Sequence, residues 1–327
     1  VKKLIAVLAA SVLPLVASAE VTIKLGTLAP NGSTWHEILK ELAERWSQIS
    51  NGQVKLKIYA GGTQGNEGDM VRKMGIGQLQ AASITTVGMH DIVKEPAALV
   101  APMMFADEAE FNVVFPKVEK QLEDLLAREG YVPLQWAEVG FAKIFCSKPY
   151  KTPAEMSGAK MFAWDGDPDA VEGWKAAGFQ PVVLSVTDLI PSLQTGMINC
   201  LANAPLYVMT ARLFEKASNM MDVNWAFITG ATLVKKEAWE KIPADLRPKL
   251  RDAARELGKR IDSEARRMND DAIAAMKKQG LQVVQVDPEP WRRAAELTYP
   301  VIRGKVVPAP FFDTVKKLRD ETRAAKK

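Results

Sequence analysis

The chain has 327 residues, 47% of them apolar, which is enough to bury the cores of two domains. Its 43 basic and 39 acidic side chains are interspersed and leave a formal net charge of +4, so no concentrated basic surface for nucleic acid is expected. Only two histidines are present, and no HExxH, CxxC or GxSxG pattern occurs, so neither a metal or cofactor site nor a catalytic set is expected, and the chain does not read as an enzyme.

Lys2 and Lys3 precede an apolar run from Leu4 to Val16, and Ala17-Ser18-Ala19 follows with small residues. This is the pattern of an export leader cleaved after Ala19. A permanent N-terminal anchor is the competing reading, but the run is shorter than the roughly 20 residues that a spanning helix needs. Val21 to Gly26 then alternates as a half-buried strand does, and Ala29-Pro30-Asn31-Gly32-Ser33 breaks it before an amphipathic helix starting near Ser33 or Thr34. Val54 to Tyr59 alternates again. The breaks at Gly61-Gly62 and Gly65 lead into a helix from about Glu67 to Met74, ended by Gly75 and Gly77. This order predicts a mainly parallel sheet, in which ligands lie beyond the carboxyl ends of the strands, so Leu28 to Ser33 and Ser83 to Val87 are expected as loops walling a pocket.

Tyr131 to Cys146 reads as extended with an interruption at Gly140, and Ala159 to Trp164 is a further strand that opens a second unit. There Asp169 to Ala177 reads as helix, Pro181 to Leu184 as strand, Asp188 to Thr195 as helix and Ile198 to Ala202 as strand. From Ala244 to Gly280 the apolar positions Leu246, Leu250, Ala253, Leu257, Ile261, Ala265, Met268 and Met276 recur mostly three or four apart, which predicts one long helix before a strand at Leu281 to Val286. A coiled coil would show a similar period; the strand that follows favours a helix bracing both units.

The expected fold class is therefore α/β, a two-lobed clamshell with hinge strands and a long helix against both lobes. Lobe I is expected to take residues 20–140 plus about 226–262, and lobe II residues 141–225 plus about 263–327. Cys146 and Cys200 are open to two states, one disulfide or two buried thiols, and the apolar setting of each favours the thiols. Gly61, Gly62, Gly65 and Gly68 lack the Gly-Lys-Ser/Thr ending of a phosphate loop. Asp165, Asp167 and Asp169 in WDGDPD lack the acidic twelfth position of a calcium loop and are interrupted by Pro168.

The segment LQTGMINCLANAP, with Gln194-Thr195-Gly196, Asn199, Asn203 and Pro205, resembles the LQTGxxDGxxNP pattern of the solute-binding proteins of tripartite ATP-independent periplasmic (TRAP) transporters, the DctP-type family. The likeness continues through KLGTLAP, YAGGTQGNE, KTPAEMSGAKM and WEKIPADLRPKLRDAA, and so covers nearly the whole chain after the leader. It implies capture of a small organic solute by lobe closure in the periplasm, without chemistry, by a monomer. Delivery would be to one small and one large integral membrane subunit that use an ion gradient. It also implies that Glu67 and Thr85, with the neighbouring hydroxyl of Thr86, and Asn203 line the cleft; helix capping by Glu67 and strand-end satisfaction by Asn203 are their structural alternatives.

The chain departs from the family at its cations. Members typically grip a carboxylate with an arginine on the strand after GxK, because the planar guanidinium matches two oxygens, and here that position is Phe162. A second basic position, after Gly140-Phe141, is Ala142. Phe141, Phe162, Trp164 and Asp165 stand in their place, with Trp225 expected from the crossing after the second lobe. Phe162 and Trp164, two apart on one strand, share a face and offer a flat surface to a ring, or a cage to a cation with Asp165 as counter-charge; packing in the second lobe's core is the other reading. An aromatic or apolar carboxylate is the favoured ligand. An amine or neutral solute, a periplasmic adaptor for a ligand sensor, and an exported enzyme on the same fold are the alternatives.

Overall fold

The structure, a computed structural model, describes residues 20–164, 168–185 and 188–325; the leader with its cleavage site and Asp165 lie outside them. β1 (Val21–Thr27) is followed by α1 (Thr34–Ile49), β2 (Val54–Tyr59), α2 (Glu67–Gly75), β3 (Ala81–Thr85) and the short α3 (Thr86–Met89). Ser33 caps α1 by accepting from the His36 N–H, and Asn66 and Asp69 close a capping box on α2, so both helices begin where polar side chains can take up free backbone donors. α4 (Glu108–Arg128) leads to β4 (Tyr131–Cys146). β5 (Lys160–Trp164), α5 (Pro168–Ala176), β6 (Gln180–Leu184), α6 (Leu189–Thr195), β7 (Cys200–Asn203) and α7 (Pro205–Thr210) repeat the alternation. β8 (Asn219–Lys235), α8 (Lys236–Glu240), α9 (Arg247–Lys278), β9 (Gln282–Val284), α10 (Pro288–Glu296), α11 (Tyr299–Val301) and α12 (Ala309–Ala325) complete the chain.

The nine strands of the described residues join one sheet in the order β2-β1-β3-β8-β4-β7-β5-β6, with β9 alongside β8. β1 pairs in parallel with β2 and β3, and β5 pairs in parallel with β6 and β7, giving two parallel blocks. The long antiparallel pair β4 and β8 belongs to both. Thr85 at the end of β3 lies opposite Gly230 of β8, which lies opposite Ala137 of β4; Asn203 at the end of β7 lies opposite Lys143 of β4. β3 runs with β4 and β7 runs against it. The carboxyl ends of the two blocks therefore point towards each other over the stretch of β4 from Ala137 to Lys143, about 20 Å at ~3.3 Å per residue. Ser83 to Thr85, expected as loop, is the end of β3, and Thr86 to Met89 is helical.

Gly140 sits at the middle of that stretch with φ +107°, and the pairing of β4 with β8 shifts register beside it. Next to it α9 covers the edge of β4. A side chain at Gly258 would come 3.1 Å from the Trp136 carbonyl oxygen, so glycine lets the helix approach. One turn on, Asp262 accepts the Glu138 N–H at 2.7 Å; a further turn on, Arg266 grips the Glu138 carboxylate with Nε at 3.0 Å and Nη2 at 2.8 Å. Asn269 then donates to the Val139 carbonyl at 2.9 Å and accepts the Leu206 N–H at 3.0 Å. These positions recur four, four and three apart and so lie along one face of the helix.

α9 packs Leu250, Ala254, Leu257 and Ile261 with Leu39, Leu42 and Trp46 of α1, and Met276 with Phe145 and Leu201, which makes it the brace expected from its period. One expectation changes. Cys146 and Cys200 form a disulfide, because β7 pairs with β4 in the register that sets them opposite each other, their Cα atoms 4.1 Å apart. Towards the C-terminus, Met276 and Leu281 join the core of Phe145 and Leu201, and Trp291 of α10 joins that of Ile144 and Met221. Phe311, Phe312 and Val315 of α12 bury against Phe111, Val114, Val118 and Leu122 of α4.

Candidate functional site

Glu67 opens α2, yet it does not cap that helix, because Asn66 already does. Its side chain is 2% exposed and turns to the start of α3, where the carboxylate accepts from the Thr85 N–H at 2.9 Å, the Thr85 hydroxyl at 2.7 Å and the Gly88 N–H at 3.0 Å. Burial pushes its pKa up while the bonds from Thr85 and Gly88 oppose that rise. Glu67 thereby fixes the turn that presents Thr85 and Thr86 at the end of β3. Thr86 is buried, and its Oγ1 has no hydrogen-bond partner among the described residues. Glu67→Gln turns an amide donor towards these donors and should cost about 1–2 kcal/mol in urea denaturation, the usual scale for a buried hydrogen bond left unmade; an unchanged midpoint would mean the turn holds itself.

On the second block, cross-strand register groups the side chains by face. Phe145 pairs with Leu201 and with Met220, all in one core cluster; Ile144 pairs with Ala202 and with Met221 in another. Lys143 pairs with Asn203 and so shares the face of Phe145. Met161 of β5 is level with Cys200 of β7, and counting on along these parallel strands brings Phe162 to the height of Leu201 and Trp164 to that of Asn203. Asn203 is paired directly with Lys143, beside which the register of β4 with β8 shifts. The Lys143 ammonium lies 2.9 Å from Asp222, whose other oxygen accepts from Gln285 at 3.1 Å.

The predicted residues are distributed over five settings. Glu67, Thr85 and Thr86 form one cluster. Trp164 is half-buried with its indole N–H lacking a partner among the described residues, and Asn203 beside it accepts the Ala204 N–H at 2.8 Å. Phe162 is half-buried against the second core. Phe141 packs edge-on to Phe227 at 4.9 Å, on the side of α4. Trp225 is 3% exposed and stacks on Trp174 at 5.3 Å with Phe179 and Trp291 around it, in the core that holds Met221 and Val223. Lys143, Asp222 and Tyr207 were not anticipated. The available signal was a lysine inside the otherwise apolar FAKIFC and a tyrosine just after Asn203-Ala204-Pro205. Burial pushes the Tyr207 hydroxyl's pKa up.

Two parallel blocks with confronting carboxyl ends, joined by two shared strands and braced by one helix, define a two-lobed α/β solute-binding protein. The profile of the bacterial extracellular solute-binding proteins, family 7, of the DctP type, matches residues 25–304, and the chain belongs to that family. The C4-dicarboxylate-binding periplasmic protein DctP of Rhodobacter capsulatus is 26% identical over 244 residues, 74% of this chain and 72% of that one. Among solved structures, the TRAP periplasmic solute-binding protein of Ralstonia eutropha H16 with bound (S)-2-acetolactate superposes with a TM-score of 0.85 at 20% identity, covering 92% of this chain and 99% of that one. That of Desulfovibrio salexigens with bound orotic acid gives 0.82 at 19% identity, covering 94% and 99%. The family binds small-molecule solutes for TRAP transport and is periplasmic. Among the described residues no helix is long and apolar enough to cross a membrane.

Proposed function

We propose that the protein captures an aromatic or apolar carboxylate in the cleft between the two blocks and hands it to the small and large membrane subunits of a TRAP transporter after its leader is cleaved at Ala19. The observation that carries this reading is that β3 ends at Thr85 and β7 ends at Asn203 with their carboxyl ends facing each other along β4 between Ala137 and Lys143, where ligands of parallel α/β sheets are expected. Trp164 offers a flat face to a ring, the hydroxyls and amides of the β3–α3 turn offer hydrogen bonds to oxygens, and closure about β4 and β8 excludes water. Solved relatives hold small carboxylates, orotic acid with its planar ring among them.

The test is the melting temperature of the purified protein against aromatic acids, aliphatic acids, amines and neutral compounds. Ligand at a hundredfold over its Kd should add about 2.7 kcal/mol of stability. Aromatic acids should raise the melting point most; a rise with amines or neutral compounds alone would overturn the carboxylate assignment. Trp164→Ala and Phe162→Ala should each weaken binding of the best acid by more than about 1 kcal/mol, the scale of an aromatic contact. Unchanged affinity in calorimetry would assign both rings to the core.

A further inference from the structure

We propose that Lys143 is the cation that takes the solute's carboxylate, in place of the arginines missing at Ala142 and Phe162, and that Asp222 holds its ammonium until the solute arrives. The inference rests on the solute-binding reading above and adds to it the specificity residue and the ligand's charge.

Lys143 directly follows Ala142, yet the pleat turns it to the other face, and that face is the one that carries Asn203 and Trp164. The assignment does not depend on one pair, since Phe145 with Leu201 and Met220 lies on the same face in a shared core. Neighbouring strands stand about 4.8 Å apart, so a lysine stem on β4 reaches a solute lying over β7 or β8. The Lys143 side chain is 14% exposed, against 39% for Asp222, so its ammonium is the more shielded partner of the pair and the carboxylate the more easily rehydrated one. Asp222 also has Gln285 to bond when it releases Lys143. Lysine carries three donors, so an incoming carboxylate can share the ammonium or displace Asp222 from it.

Ligand class follows from the charge count. One lysine, once Asp222 has released it, provides for a single negative charge on the solute. A compact ammonium on a flexible stem lacks the guanidinium's fork and selects less sharply for the angle of approach. The expected solute is a monocarboxylate with a flat apolar body against Trp164, in contrast to a dicarboxylate.

Calorimetry with phenylacetate, indole-3-acetate, their amides phenylacetamide and indole-3-acetamide, and succinate tests this on wild type, Lys143→Met and Lys143→Arg. The acids should bind the wild type at least tenfold more tightly than their amides. Lys143→Met should lower acid affinity to the level of the amides and leave the amides unchanged, whereas Lys143→Arg should keep acid affinity within a few fold. Asp222→Asn should raise acid affinity several fold. Equal losses for acid and amide in Lys143→Met would mark a structural role and overturn the proposal, as would unchanged acid affinity or succinate outcompeting the monoacids. Those results leave solute capture standing; failure of every compound in the melting panel would overturn the function itself.

Discussion

Valine in place of Gly140 is expected to destabilise the protein by about 4 kcal/mol or more, the largest effect of any single substitution considered. With φ at +107°, the site lies where a β-branched residue is strained by about 1–3 kcal/mol. A Cβ would also stand 2.6 Å from the Asn269 amide nitrogen, so the amide has to leave. Its departure strands the part-buried Val139 carbonyl and Leu206 N–H, each costing about 1 kcal/mol or more when left unmade. Urea denaturation of Gly140→Val, Asn269→Ala and the double variant measures this. The double variant should lose less than the two single losses combined, because both changes break the same bonds. A Gly140→Val protein within about 1 kcal/mol of wild type would show that β4 has room for a side chain at its bend.

The second large effect is on pH. Glu138 is 4% exposed beside Arg266, with Asp262 and, across the guanidinium, Glu108 as further carboxylates. Burial pushes Glu138 up to about 7 against the pull of Arg266, and burial raises Asp262 as well. An unfolded glutamate titrates near 4.3, so the folded protein holds this proton more tightly than the unfolded chain. The resulting stability is complete below about 4.3 and disappears as pH rises through about 7, an amount of about 4 kcal/mol at 1.36 kcal/mol per unit. Glu138→Gln cannot titrate. The stability difference between wild type and Glu138→Gln should therefore shift by that amount between pH 4.5 and 8, in the direction that penalises wild type at the higher pH. A difference independent of pH would place the Glu138 pKa near its ordinary value.

Local pattern accounts for what was legible in the sequence. β1 and β2 alternate because one face of each meets α1 and α9, and the period of α9 survives because it packs on both lobes along its length. β3 and the last third of β8 are buried, so AASIT and TGATLV show little alternation and no local rule separates them from loop or helix. α4 carries Pro116 inside it, which interrupts a helical reading that its buried Phe111, Val114, Val118 and Leu122 would otherwise support. At the site, the family pattern indicates Glu67 and Asn203, but the partners of Glu67 depend on a turn eighteen residues on. The nearness of Lys143 to Asn203 and the pairing of Cys146 with Cys200 are facts of register between strands more than fifty residues apart. The face that Trp225 takes is likewise set by β8, in the core with Met221 and Val223.

The placing of β8 between β3 and β4 bears on how the chain acquires its structure. Ala81 to Thr85 wait for Val234 to Gly230, roughly 150 positions later, before the outer edge of β3 is covered. Until then the first third of the chain has an unpaired sheet edge and no closed core, and a protein bisected between its lobes would leave naked edges on both pieces, the condition that favours aggregation. Topologies dominated by such distant pairings fold slowly. The delay is written into the strand order: the sheet cannot close until the residues from Gly230 to Val234 are available to β3.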